Sequence, residues 1–212
     1  MGCNLIAVRY TKKYNMIVNA KWLRIEEHTN AFDYLEKAKM FLESCEDNLY
    51  SWKWVMISLH GAIYGFAISA CKGTNADVVI KKSKKGESLI SFDEALNRCQ
   101  ESTWMKYAMS SNVLKLTDSQ KESIRHMKNI FRNEFMHFKP KGWSIEIHDF
   151  PLITLDCLDV LEFLVLKTYN CFRFSSYKIK KFKSLVYQSR KMIKHSNLYK
   201  ESFYLINLSN KK

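Results

Sequence analysis

The sequence predicts an all-α protein: a bundle of four to five core helices with a basic, helical C-terminal extension. Two observations carry that prediction. Apolar residues make up 47% of the 212 residues, while glycine (6) and proline (2) are scarce, which suits long uninterrupted helices better than a turn-rich sandwich or barrel. Capping signals, moreover, precede helical runs of apolar residues at several points, whereas strands have little support.

Residues 1–28 show no clear period and read as an N-terminal arm. Thr29 or Asn30 caps a helix from about Ala31 to Cys45, which carries Phe32, Leu35, Met40 and Leu42. A second helix spans Tyr50 to Cys71. Its segment Trp54–Cys71 has no formal charge and is long enough to cross a membrane. Ser58, His60 and Ser69 interrupt it and no second span exists, so a buried central helix is expected, with no integral membrane segment. Gly61 and Gly65 form a small-x-x-x-small pair that lets another helix approach closely.

"VVIKKSKKGES" (78–88) reads as a basic connector, either solvated or touching phosphate. Ser91-Phe92-Asp93-Glu94 is a capping box for a short helix to about Ser102. "LTDSQKES" (116–123) holds two overlapping boxes, Thr117 with Gln120 and Ser119 with Glu122, ahead of a long helix to about Phe138. Pro140 and Gly142 stop that helix. Residues 153–172 form another helix, with Asp156, Asp159 and Glu162 on its wetter side. The domain division that follows is 1–28, 29–172 and 173–212.

The charge is uneven. The chain carries a net +13; residues 173–212 hold 11 Lys/Arg and one Glu, a net +10, leaving +3 for residues 1–172. The extension therefore carries the signal for a polyanion partner. Its stretch "RFSSYKIKKFKSLVYQSRKMIK" (173–194) interleaves cations with Tyr177, Phe182 and Tyr187. Cations neutralise phosphates and aromatic rings stack on unpaired bases. The same stretch also suits a helix that packs Ile179, Phe182, Val186 and Ile193 on the body, or one that lies on an anionic membrane surface. A DNA-binding regulator draws on the basic charge alone, without a helix-turn-helix signature. Six cysteines lie far apart, without a C-x-x-C pattern, and no secretory signal opens the chain, so free thiols in a cytoplasmic setting are expected. His126, His137 and His148 are 11 residues apart with no nearby cysteine in sequence, so no metal and no cofactor are expected.

The stretch most suggestive of chemistry is "FRNEFMHFKPKGW" (131–143). On a wheel at 100° per residue, Ile124, Met127, Phe131, Phe135 and Phe138 form one apolar stripe. Asn133 and His137 are i, i+4 neighbours on another face, with Arg132 between the two faces. A histidine exchanges protons near neutral pH, an arginine holds phosphate with a fork of donors, and an asparagine fixes a tautomer or a phosphate oxygen. Together they suit phosphodiester chemistry; an ordinary polar helix end is the other reading.

"RNEFMH" (Arg132–His137) resembles the R-x(4–6)-H motif of the HEPN superfamily, with Asn133 as the usual polar residue after the arginine. The wider phrases "RNEFMHFKPKGWSIEI" and "SLHGAIYGFAI" resemble a bacterial, plasmid-borne HEPN branch, over residues 30–172. The resemblance implies a metal-independent endoribonuclease of toxin or phage-defence type. Arg132, Asn133 and His137 would be catalytic, with two copies meeting in one cleft of a homodimer. Lys139 and Lys141 beside the motif, and Lys178, Lys180, Lys181 and Lys183 in the extension, would hold RNA. The toxin members imply an antitoxin protein as a further partner. The tyrosine that nucleotidyltransferase antitoxins modify two residues past the histidine is Lys139 here. Other HEPN-like domains bind RNA, nucleotide or protein without cutting, and that is the alternative function.

Overall fold

The computed structural model describes residues 22–84, 86–105, 112–132, 142 and 144–209, with side chains described as far as Asn129 in the third of these stretches and Tyr204 in the last. The described residues hold nine helices and one two-stranded hairpin. The helices are α1 (Glu27–Leu42), α2 (Ser51–Lys72), α3 (Phe92–Cys99), α4 (Ser102–Met105), α5 (Asp118–His126), α6 (Phe150–Leu166), α7 (Asn170–Arg173), α8 (Ser176–His195) and α9 (Asn197–Ser209).

The apolar helix α2 is the centre of the bundle. It is long and apolar enough to cross a membrane, but 67% of its most apolar window is buried. The reason is its all-round apolar composition, which needs neighbours on every side. Helix α1 runs antiparallel to it. A Cβ on Gly65 would lie 2.8 Å from the Ala31 Cβ and 2.9 Å from the Glu27 carbonyl oxygen, and one on Gly61 would meet the Tyr34 ring at 2.6 Å. The two glycines therefore let α1 and α2 pack closely. Helix α3 lies along α2, with Phe92 stacked on His60 at 4.4 Å. Helix α6 covers another side, with Phe150 edge-on to Trp52 at 5.7 Å.

A polar knot ties α2, α6 and α7 together inside this core. Asn170 is fully buried. Its Nδ2 donates to the carbonyls of Phe66 (3.1 Å) and Leu164 (2.9 Å), and its Oδ1 accepts from the Ser69 hydroxyl (2.7 Å). Every part of that amide is thus satisfied, as a buried polar group requires.

Helix α8 packs into the same core. Phe182 is fully buried and meets Phe32 (6.3 Å) and Phe66 (6.0 Å) edge-on, and Val186 and Ile193 are buried further along. Arg190 reaches α6, where it pairs with Asp159 and, at 2.7 Å, Glu162.

Four expectations are corrected. The segment 78–88 is not a plain connector: Ile80–Ser83 (β1) pairs antiparallel with Gly86–Leu89 (β2), after a 3₁₀ turn at Ala76–Val79. Gly86, the first residue of β2, has a φ of 115°, which glycine adopts without a Cβ clash. Helix α1 starts at Glu27, earlier than Thr29 or Asn30. Its N-cap is Glu26, whose backbone N–H donates to the Thr29 hydroxyl at 3.1 Å, so Thr29 closes the first turn from inside. The helix expected over 153–172 spans Phe150–Leu166, with Pro151 in its first turn, and the chain turns before α7. Finally, α5 gives way to a π-helical segment at Met127–Arg132.

Candidate functional site

The motif helix begins as its capping box dictates. The Thr117 hydroxyl accepts the Gln120 N–H at 3.2 Å, and the Gln120 side chain accepts the Thr117 N–H at 3.1 Å. The second box is not used. Ser119 turns to α6 instead, where its hydroxyl (2.7 Å) and that of Ser123 (2.6 Å) both donate to Asp156. Two turns on, buried Met127 lies against the Cys157 thiol at 3.6 Å. On the other flank, Lys128 pairs with Asp93 of α3 at 2.5 Å. The segment that leads into Arg132 is thus held between α6 and α3.

Arg132 is the last residue of the π-helical segment. Its side chain lies outside the described residues, as do Asn133, His137, Lys139 and Lys141. The start of the predicted apolar stripe is in place, since Ile124 and Met127 are buried; Phe135 and Phe138 fall outside the described residues. A π-turn closes i→i+5 and takes more residues per turn than an α-turn. A wheel drawn at 100° per residue therefore loses phase across 127–132. No proline or glycine in that segment announces the change, so the sequence did not reveal it.

The predicted cations of the extension all lie on α8. Ser175 caps that helix by accepting the Lys178 N–H at 3.3 Å. Lys181 pairs with Glu36 of α1 at 2.6 Å, and that carboxylate raises its pKa above the ordinary lysine value. Lys180 and Lys183 are exposed. Opposite the buried row Phe182–Val186–Ile193, the outer face of α8 carries Tyr177 (73% exposed), Lys180, Tyr187 (68% exposed) and Lys191. It is a cation–aromatic surface suited to a single-stranded polyanion.

A cavity of about 570 Å³ at the far ends of α1 and α8 has a different character. Glu43, Glu46, Asp47 and Glu201 line it beside His148 and His195, so its charge repels phosphate. The thiols Cys45 and Cys157 are buried, and desolvation pushes Cys45 up to about 12 and Cys157 higher, which makes both poor nucleophiles. Among the described residues, no group of three or more His, Cys, Asp or Glu is placed to hold a metal ion.

Compared with known proteins, the chain matches no family model, no curated protein and no solved structure.

Proposed function

We propose that the chain is a metal-independent endoribonuclease of the HEPN type, with a toxin or phage-defence role in the cytoplasm. The observation that carries this reading is the Arg132, Asn133 and His137 set, which follows directly on the segment held between α6 and α3. In the reaction, the ribose 2′-hydroxyl attacks the adjacent phosphorus and the bond to the 5′-oxygen breaks. His137 takes the 2′-hydroxyl proton or gives one to the departing 5′-oxygen. A homodimer with two copies of the set in one cleft fills both roles. Arg132 holds the scissile phosphate and stabilises the charge that develops on it. Asn133 orients the imidazole or a phosphate oxygen. Lys139 and Lys141, next to the motif in sequence, and the cations of α8 hold the flanking strand: Lys180 and Lys183 are exposed, while Lys178 is half-buried and Lys181 is engaged by Glu36. The toxin role carries with it an antitoxin protein as a further partner.

A second reading has its own support. The α8 surface binds a polyanion whether or not the motif cuts, so a non-catalytic module for RNA, nucleotide or protein is the alternative. RNA incubated in EDTA with wild type, Arg132→Ala and His137→Ala separates the two. The nuclease reading expects cutting by wild type, and a loss of about 10²–10⁴-fold in each variant. Equal cutting by all three proteins sinks the site assignment, and RNA binding without cutting selects the module.

A further inference from the structure

A groove between α3 and α5, about 280 Å³ in volume, plays no part in the reading above. Its floor is apolar: Leu96, Leu116 and Ile124. One wall carries Lys121, Arg125 and Lys128, spaced i, i+4 and i+7 on the helix that leads to Arg132. Among the described residues, Lys121 and Arg125 pair with acids of their own helix, Asp118 at 2.9 Å and Glu122 at 2.9 Å, which are exposed pairs of little worth that a phosphate can displace. Among the described residues the groove has one lining carboxylate, Asp93, and Lys128 neutralises it. Two carboxamides line the groove, Asn97 on α3 and Asn129 beyond α5, and both are exposed. Gln100 also lines the groove, with its Nε2 donating to the Leu96 carbonyl at 3.2 Å.

Each part suits a different part of one ligand. An apolar floor takes the face of a base. Carboxamides carry donors and an acceptor together, and so can read a base edge. Paired cations take the phosphates on either side. The volume lies close to the lower end of small-ligand pockets, about 300 Å³, which limits the occupant to one unit of a chain.

We propose that this groove is a subsite for one unpaired nucleotide of an RNA strand. The base lies on Leu96, Leu116 and Ile124 with its edge towards Asn97 and Asn129, and its phosphates lie on Lys121 and Arg125. The strand then runs along the helix towards Arg132. The inference rests on the RNA reading above and adds to it a place where base identity is sensed.

The test uses the full chain carrying His137→Ala, so that RNA survives, and short homopolymers of A, C, G and U followed by fluorescence anisotropy. Lys121→Gln with Arg125→Gln is expected to weaken all four RNAs about tenfold and to reduce the log–log salt slope by about 1.4, the share of two phosphate contacts on a single strand. Asn97→Ala with Asn129→Ala is expected to narrow the spread among the four bases with little change in the salt slope. Asp93→Asn is expected to strengthen binding, because it removes a lining carboxylate and frees Lys128 from it. Groove variants that bind as the parent does, while Lys180→Gln with Lys183→Gln binds more weakly, overturn the subsite and leave the RNA reading standing. A parent that binds none of the four RNAs overturns both.

Discussion

At the residue scale, a few side chains hold this fold with little redundancy. Asn170 satisfies a serine hydroxyl and two carbonyls from inside the core. Asn170→Ala removes three buried hydrogen bonds and takes away the acceptor of the Ser69 hydroxyl, although the Leu164 carbonyl keeps the Thr168 hydroxyl as a donor; it is expected to cost about 2–3 kcal/mol in a denaturant titration. His28 gives the protein an acid-sensitive spot. Its Nδ1 is buried without a hydrogen-bond partner among the described residues. Burial first, then the Arg173 and Lys178 charges, hold its pKa below the ordinary histidine value of 6.5. For Glu27, burial pushes the pKa up, but the Lys72 hydrogen bond and the Lys72 and Arg173 charges outweigh it and leave a net lowering from 4.5. Both groups bind protons less readily folded than unfolded, so their contribution is complete above the unfolded value and is lost as pH falls. The loss begins below about 6.5 for His28 and only below about 4.5 for Glu27. The melting temperature should therefore drop between pH 7 and pH 5, and drop less in His28→Gln; an equal drop in both proteins would remove His28 as the cause.

At the element scale, much of the fold was legible in the sequence because the signals are local. The capping residues Ser91 and Thr117 stand where helices α3 and α5 begin, and the apolar run at 54–71 lies within the central helix. The Gly61–Gly65 spacing announced a close helix contact, and α1 supplies it. Gly65→Ala should test that contact: its methyl group meets backbone that cannot rotate away, and a destabilisation of about 1–3 kcal/mol is expected in thermal or denaturant unfolding. The signals that misled were those whose outcome tertiary partners decide. Ser119 prefers the Asp156 carboxylate on α6 to a second capping box. The hairpin at 80–89 depends on pairing that charge-rich strands conceal. The π-helical segment at 127–132 has no marker in its residue types, so a helical wheel could order Ile124 and Met127 but could not carry the phase on to Asn133 and His137. The row Phe182–Val186–Ile193 did mark α8 as a packing helix, but Phe182, grouped with Tyr177 and Tyr187 as a ring for stacking on bases, is buried in the core, and only the two tyrosines are exposed.

At the scale of the whole molecule, the account asks for two things beyond the fold. The first is a second copy. Light scattering should give a homodimer at working concentrations, and a strict monomer would remove the shared cleft. The second is RNA chemistry at the motif itself. The most direct measurement incubates end-labelled single-stranded RNA with the wild-type protein in excess EDTA and identifies the new termini. The account predicts cuts that leave a 2′,3′-cyclic phosphate and a 5′-hydroxyl, absent with His137→Ala. RNA left intact by the wild type, cuts ending in a 3′-hydroxyl and a 5′-phosphate, or cuts that persist in His137→Ala would contradict it.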